Sequence, residues 1–235
     1  MHVRTFIDEM ERLAPSILAE DFDARKIGLI VEGRPEISRI CCALDATPHV
    51  VNKAVLASAD MLVVHHTPLW TPVTMLTGRV ADLMRALLSA DMNLYVMHTN
   101  FDHAPEGVND ALAELLSLQD ITPMTLGCIG TSILSAEEIA KRLGGHIRLW
   151  GEVKKISRLA IVAGSGFDPV LMEEAKEKGA DAFLSSEMKH SVARMAPLPC
   201  IEATHYALEA PAMQRLATRR GWQYFDDPPF NKIIP

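Results

Sequence analysis

The stretch ISRICCALDATPHVVNKAVLASADMLVVHH (37–66) contains the pattern that decides the fold of this chain. Its first ten residues are a nearly continuous apolar run, which is typical of a strand buried on both faces. Pro48 then opens a helix, because proline is favoured in a first helical turn. Residues 60–66 are a second apolar run. A strand, a helix and a second strand in this order predict a βαβ unit with parallel strands.

The same pattern recurs in the stretch ISRLAIVAGSGFDPVLMEEAKEKGADAFLSSE (156–187). Ile-Ser-Arg opens both copies, Pro48 matches Pro169, and Ala-Asp precedes the second strand of each. The second copy has two extra residues in its glycine turn. We therefore expect an α/β fold made of two similar α/β halves, an internal pseudo-repeat with mixed sheets. The halves are predicted to span residues 1–125 and 126–235.

The rest of the chain continues the alternation of helix and strand. Helices are predicted at 5–13, 48–58, 78–89, 108–118, 135–145, 168–179 and 204–220. Strands are predicted at 25–31, 37–46, 60–66, 92–98, 156–164, 180–190 and 199–203. Ser135 and Glu138 have capping-box spacing. We expect a turn-rich loop at TNFDHAPEG (99–107), a connecting segment at 120–135, and a Pro-rich tail (226–235) over the surface.

Composition and sequence pattern argue against several classes of protein. The chain has 235 residues, 49% of them hydrophobic, and a net charge of −7, which disfavours a nucleic-acid-binding surface. No apolar run approaches the ~20 residues that a membrane span needs. The N-terminal stretch lacks the apolar region of a signal peptide. The four cysteines form no CxxC pair, so we expect a reduced, cytoplasmic protein.

Polar residues that bind metals gather where three predicted strands end. They form a histidine pair, a His-x-x-x-Asp motif and a His-x-x-x-Glu motif. These residues are His65, His66, His98, Asp102, His205 and Glu209. Sites in open α/β sheets form beyond the carboxyl ends of strands, so we expect the three clusters to meet. Imidazole and carboxylate ligands suit Zn, Mn, Fe or Co, and a bridging carboxylate suits a two-metal site.

Each cluster also has an ordinary interpretation. A histidine pair is often incidental, His98 fits a helix cap, and His205 with Glu209 fits a solvated helix face. The turn AGSGFDP (163–169) is either a tight turn or a phosphate cradle. Glu187 and His190 follow a predicted strand, and they are either contacts to the site or plain surface residues. Cys41 and Cys42 are expected in the core.

Five motifs together carry a resemblance to a known family. They are LVVHHTPLW (62–70), HTNFD (98–102), VAGSG (162–166), GADAFLSSEMKH (179–190) and THYALE (204–209). In this order they resemble the NIF-three-like dinuclear metal-centre proteins, whose members are commonly called GTP cyclohydrolase 1 type 2 homologues. The resemblance covers essentially the whole chain. FDARKIG (22–28), AGSGF and SSE depart from the family pattern, which affects the inferred substrate more than the metal ligands.

The resemblance implies a dinuclear metal site in the cleft between the two halves, and a toroidal homohexamer. The implied ligands of two divalent ions are His65, His66, Asp102, His205 and Glu209. Glu209 would bridge the ions, His66 and Asp102 would complete one, and His65 and His205 the other. His98 would be the catalytic proton-transfer group. The ligand types do not distinguish Fe, Zn, Mn, Co and Ni.

The resulting hypothesis is a metal-dependent hydrolase of a nucleotide-like small molecule. Two ions activate a water molecule, which in a GTP cyclohydrolase attacks purine C8, opens the ring and releases formate. His98 would move the proton, because the ordinary pKa of histidine lies near neutrality. The alternative is a non-catalytic metal-binding regulatory or interaction protein, since a fold and a site do not fix a substrate.

Overall fold

The computed structural model describes residues 1–153 and 155–231, and the chain divides into two compact units. The first unit contains Met1–Pro105 and Met213–Pro235, and the second contains Glu106–Ala212. This division differs from the predicted boundary at residue 125 in two places. Residues 106–125 belong to the second unit, and the C-terminal residues belong to the first.

The elements of residues 1–105 follow the predicted order closely. They are α1 (Val3–Leu13), β1 (Gly28–Val31), β2 (Ile40–Asp45), α2 (Pro48–Leu56), β3 (Met61–His66), α3 (Gly78–Ser89), β4 (Asn93–Val96) and α4 (Thr99–His103). Thr47 caps α2 by accepting a hydrogen bond from the Val50 backbone, and Pro48 occupies its first turn as predicted.

The elements of residues 106–231 contain the second copy of the repeat. They are α5 (Val108–Leu115), β5 (Gln119–Pro123), β6 (Cys128–Thr131), α6 (Ala136–Arg142), β7 (Arg148–Trp150), β8 (Arg158–Ile161), α7 (Pro169–Glu177), β9 (Ala182–Ser185), α8 (His190–Ala193), β10 (Cys200–Glu202), α9 (His205–Arg220) and β11 (Gln223–Tyr224). The capping box of Ser135 and Glu138 is confirmed at the start of α6.

Each unit has one mixed sheet, which confirms the predicted α/β fold class with two similar halves. The sheet of the first unit has the order β1-β4-β3-β2-β11, and that of the second has the order β5-β6-β8-β9-β10-β7. The strands β2, β3 and β4 are parallel, and so are β8, β9 and β10. In both units an antiparallel edge strand pairs with one of these parallel strands: β1 pairs with β4, and β7 pairs with β10.

The parallel strands are the centre of each core. Leu62, Val64 and Leu94 are fully buried in the first unit, and Ala160 and Phe183 in the second. Continuous apolar runs are typical of parallel strands with covered faces, which is why these strands were recognisable from sequence. Cys41 and Cys42 lie fully buried in β2, which confirms their assignment to the core.

Three parts of the predicted pattern are wrong. The connecting segment at 120–135 is largely two strands, β5 and β6, and β5 was missed because all its residues are exposed and show no apolar alternation. The turn-rich loop after His98 begins with α4. The short elements β7, β11 and α8 were not predicted.

Residues 226–231 of the predicted tail have no helix or strand, and residues 232–235 lie outside the described residues. No helix among the described residues has the length and apolar character needed to cross a membrane.

Candidate metal centre

The first unit brings three histidines together at the carboxyl ends of its parallel strands. One ring nitrogen of each of His65, His66 and His98 lies within 4.8 Å of the other two. The ring centroids of His65 and His66 are 4.8 Å apart, although neighbouring side chains on a strand point to opposite faces. They converge because β3 ends at His66, so the chain is free to turn there.

Both histidines of the pair have their Nδ1 atom engaged by an oxygen. Nδ1 of His65 lies 2.7 Å from the carbonyl oxygen of Met97, and Nδ1 of His66 lies 2.7 Å from Oδ1 of Asp45. These oxygens only accept hydrogen bonds, so each Nδ1 carries the proton and donates it. In the neutral ring Nε2 then holds the lone pair. This is the tautomer that metal-binding histidines adopt, with the other nitrogen oriented by a neighbouring oxygen.

Asp102 lies on α4, four residues after His98. Its Oδ1 is 3.5 Å from Nε2 of His65. Asn100 fixes the start of this short helix, because its side chain accepts a hydrogen bond from the His98 backbone at 2.9 Å and donates one to Ala14 at 2.7 Å. The unpredicted helix α4 is therefore what carries the Asp102 carboxylate to the histidine pair.

His98 is held by a carboxylate that the sequence analysis missed. Asp23 is 1% exposed, and its Oδ1 lies 2.8 Å from Nδ1 of His98. Burial raises the pKa of Asp23, but hydrogen bonds from His98 and from the hydroxyl and backbone of Thr99 outweigh this and lower its pKa below the usual value. Asp23 is therefore an ionised acceptor that orients His98. Its partner is 75 residues away in sequence, so no local spacing indicated the contact.

The second unit contributes a histidine and a glutamate from the first turn of α9. Nε2 of His205 lies 2.9 Å from Oε2 of Glu209, as expected for residues four apart on one helix face. Nδ1 of His205 lies 2.9 Å from Oε1 of Glu187, which follows β9. His205 thus shows the same Nδ1–oxygen orientation as the three histidines of the first unit.

The glycine turn after β8 packs against this pair. Gly164 has a φ of +69°, and a Cβ built there would lie 2.2 Å from Oε1 of Glu209. Its carbonyl oxygen accepts hydrogen bonds from the hydroxyls of Ser185 at 2.9 Å and Ser186 at 2.7 Å. Only glycine fits this position, because any side chain would displace the glutamate. The turn therefore shapes the surroundings of Glu209.

The six sequence-predicted site residues thus fall into two sets. His65, His66, His98 and Asp102 lie together in the first unit, and His205 and Glu209 lie together in the second. Glu187 contacts His205, whereas His190 is exposed at the start of α8. Asp23 and Asp45 are the site residues that sequence reasoning missed. Asp45 had one usable signal, since it is the polar residue at which a buried strand ends.

The donor chemistry of both sets fits divalent transition metals. Imidazole nitrogens and carboxylate oxygens are borderline and hard ligands, which suit Zn, Fe, Mn, Co and Ni. Each histidine has a protonated Nδ1 held by an oxygen, so its Nε2 has the character of a ligand atom. All four described cysteines are buried thiols outside these sets.

Comparison with known proteins matches most of the chain to one family. The family model described as Duf34/NIF3 (NGG1p interacting factor 3) matches residues 1–221. A protein of Pyrococcus abyssi named GTP cyclohydrolase 1 type 2 homolog is 36% identical over 212 residues, covering 83% of this chain and 84% of that protein. A protein of the same name from Streptomyces coelicolor is 33% identical over 255 residues, covering 92% of this chain and 87% of that protein.

Solved structures show the same fold. The structure of reduced HcgD from Methanocaldococcus jannaschii has a TM-score of 0.82 and 29% identity, covering 95% of this chain and 96% of that chain. A Staphylococcus aureus protein, SA1388, has a TM-score of 0.86 at 24% identity, with 99% of both chains covered, and this likeness concerns the fold alone.

Proposed function

The chain belongs to the Duf34/NIF3 family, and on that premise we propose that it binds two divalent metal ions and hydrolyses a nucleotide-like small molecule. The proposed ligands are His65, His66, Asp102, His205 and Glu209. One observation carries the metal part of the proposal: the donor histidines of both sets hold Nδ1 against an oxygen. That the two sets act as one dinuclear centre rests on the sequence resemblance and belongs to the proposal.

The residues around the donors have distinct roles in this proposal. When bound, two divalent ions supply an electrophilic centre and an acidified water. Asp45 and Glu187 orient the imidazoles of His66 and His205. Gly164 leaves room for the Glu209 carboxylate. These contacts fix the direction of the donor atoms before a metal binds, which reduces the ordering that binding requires.

His98 is the proposed proton-transfer group. Asp23 fixes its Nδ1 proton, so Nε2 is the atom that accepts or returns a proton during hydrolysis. The ring is 5.0 Å from that of His65 and 5.6 Å from that of His66, which places it beside the donors. A buried carboxylate behind an imidazole also stabilises the imidazolium that forms when the proton is taken.

The substrate class is supported by the names of the relatives. The curated relatives are called GTP cyclohydrolase 1 type 2 homologs, which suggests cleavage of a C–N bond in a purine nucleotide. We extend to this chain a homohexameric assembly, as the resemblance implies, and a cytoplasmic location, as the cysteine pattern indicates. Buried thiols at all four cysteines are consistent with a reducing compartment.

The decisive experiment measures turnover and metal content on the same samples. Metal-loaded protein is incubated with GTP and with a panel of phosphodiesters, and formate and phosphate release are followed. We expect His98→Gln to lower turnover by about a hundredfold or more, with bound metal unchanged. His49→Gln, at an exposed position on α2, is the matched control and should keep full turnover.

Two results would contradict the proposal. Absence of turnover by the metal-loaded wild type on every substrate of the panel would remove the hydrolase part and favour a non-catalytic metal-binding protein. Equal turnover by His98→Gln and His49→Gln would remove His98 from the mechanism.

A further inference from the structure

Two exposed aromatic side chains contact His98 in the first unit. The ring centroid of Trp70 lies 5.0 Å from that of His98 with an interplanar angle of 77°, and that of Phe22 lies at 6.1 Å with an angle of 68°. Trp70 is 43% exposed and Phe22 is 56% exposed. Both rings touch His98 edge-to-face, so much of their surface remains open to solvent. Large exposed aromatics beside a polar site are a mark of ligand binding.

A cation accompanies the two rings. The Lys26 ammonium lies 5.7 Å from the centroid of the Trp70 ring, within the range of a cation–π contact. Within the described ranges, Lys26 forms no ion pair with a carboxylate. The chain as a whole carries a net charge of −7, so this cation is a local feature against an acidic background. Phe22, Lys26 and Trp70 are named the aromatic–lysine face from here on.

The face is tied to His98 by the segment that carries it. Asp23 lies between Phe22 and Lys26 and binds Nδ1 of His98 at 2.8 Å. The backbone of Glu20 donates a hydrogen bond to the Thr99 hydroxyl at 2.8 Å. Trp70 approaches from the loop that follows β3. The buried Asp23 therefore holds the segment that carries Phe22 and Lys26 beside the proton-transfer histidine, and Trp70 contacts the same histidine from its own loop.

We propose that the aromatic–lysine face is a recognition subsite for a planar, aromatic and anionic small molecule. Trp70 and Phe22 would contact the faces or edges of the ring, because aromatic stacking accepts any flat π-system. Lys26 would neutralise an attached phosphate or carboxylate. The orientation of such a ring toward His98 rests on the proposed function, whereas binding to the face does not require the metal ions.

The test is isothermal titration calorimetry of the full chain with three probes, before and after metal removal by chelation. The probes are guanosine 5′-monophosphate, guanosine, which lacks the phosphate, and ribose 5-phosphate, which lacks the ring. We expect the monophosphate to bind most tightly. Trp70→Leu and Phe22→Leu should each weaken it about tenfold, and Trp70→Phe should stay within about threefold of the wild type.

Lys26→Met should weaken binding of the monophosphate about tenfold and leave guanosine unchanged. The matched controls are Phe230→Leu, at a ring that is 95% exposed, and Lys141→Met on α6, and both should bind like the wild type. Circular dichroism and sedimentation are recorded for every variant, so that unfolding and changes of assembly are seen directly.

Three outcomes would overturn the inference. The first is absence of monophosphate binding by the wild type, and the second is equal affinity of the Trp70, Phe22 and Lys26 variants and their controls. The third is a change of sedimentation in Trp70→Leu with unchanged affinity, which would assign the face to contact between copies of the chain. If the protein shows no turnover but binds the monophosphate through the aromatic–lysine face, the inference is supported and the proposed function fails. Failure of the inference and failure of the proposed function therefore give different results.

Discussion

The two sheets are alike at the amino ends of their parallel strands. In the first unit Oδ2 of Asp60 accepts hydrogen bonds from the backbones of Ser38 and Arg39, both at 2.9 Å. In the second unit Oδ2 of Asp181 accepts the same two bonds from Ser157 and Arg158, both at 2.8 Å. The Ile-Ser-Arg and Ala-Asp matches of the repeat therefore mark the same contact in both units. In this contact, called the strand-start joint from here on, the carboxylate before one strand accepts hydrogen bonds from the backbone at the start of the neighbouring strand.

The sheets differ at the carboxyl ends of the same strands. In the first unit Asp45 ends β2, the histidine pair ends β3, and His98 follows β4. In the second unit a glycine turn follows β8, Glu187 follows β9, and His205 follows β10. His66 and Glu187 occupy matching places in the repeat. The comparison teaches that the amino ends preserve the shared scaffold, while the carboxyl ends carry different chemistry in each half.

Gly164→Ala should have the largest effect, because it breaks the carboxyl-end arrangement of the second unit. An alanine there combines a φ of +69° with a Cβ 2.2 Å from Oε1 of Glu209, and we expect a loss of about 3 kcal/mol in the free energy of unfolding. Urea denaturation measures it. Gly145→Ala is the control, since a Cβ there meets nothing within 4 Å. Equal stability of the two variants would contradict the role of the turn.

Asp60→Ala and Asp181→Ala test the strand-start joint at the amino ends. Asp60 is 6% exposed and also pairs with Arg34 at 3.0 Å, so its removal leaves buried N–H groups without their acceptor and should cost about 2 kcal/mol. Asp181 is exposed, where water replaces the lost acceptor, and its removal should cost about 1 kcal/mol or less. Chemical denaturation of both variants gives the comparison. A larger loss in Asp181→Ala would refute this explanation of the repeat.

Asp45→Asn and Glu187→Gln test whether a carboxylate at the carboxyl end of each sheet orients a metal-binding histidine. Each substitution weakens the acceptor that orients a donor histidine, so we expect about a tenfold loss of metal affinity, equivalent to about 1.4 kcal/mol. Competition with a chromogenic chelator measures the affinity. Asp82→Asn, on the exposed surface of α3, is the control. Unchanged affinity in either variant would show that the carboxylate it replaces has no orienting role.

The smallest expected effect concerns the pH dependence of the Asp60 contribution. Burial raises the pKa of Asp60, but hydrogen bonds from the Arg39 and Ser38 backbones and the Ser38 hydroxyl, with the charge of Arg34, outweigh this and hold its pKa below the usual value of an aspartate. Its stabilisation is therefore fully present above the unfolded pKa and is lost as pH falls through the folded pKa. The difference in unfolding free energy between the wild type and Asp60→Asn should shrink from pH 5 to pH 2.5. A constant difference would contradict the lowered pKa.

The predictable part of the molecule is the part governed by local pattern. Helix α3 has the predicted bounds, because its apolar residues recur at helical spacing and Gly78 and Ser89 delimit it. The strand β5 escaped prediction because an exposed edge strand needs no apolar alternation. The donors were recognisable because they follow strands that are readable from sequence. Asp23 was not recognisable from the sequence, because its contact with His98 depends on how distant segments fold together.

The central claim is that donors from both halves of the repeat bind metal, and metal stoichiometry tests it most directly. Elemental analysis of protein purified without added metal should give about two divalent ions per chain for the wild type. His66→Ala and Glu209→Ala, one from each donor set, should both lose metal, whereas His146→Ala, at an exposed position, should retain it. Full metal content in either donor variant, or a wild type that binds no metal when supplied with Fe, Zn, Mn, Co or Ni, would contradict the account.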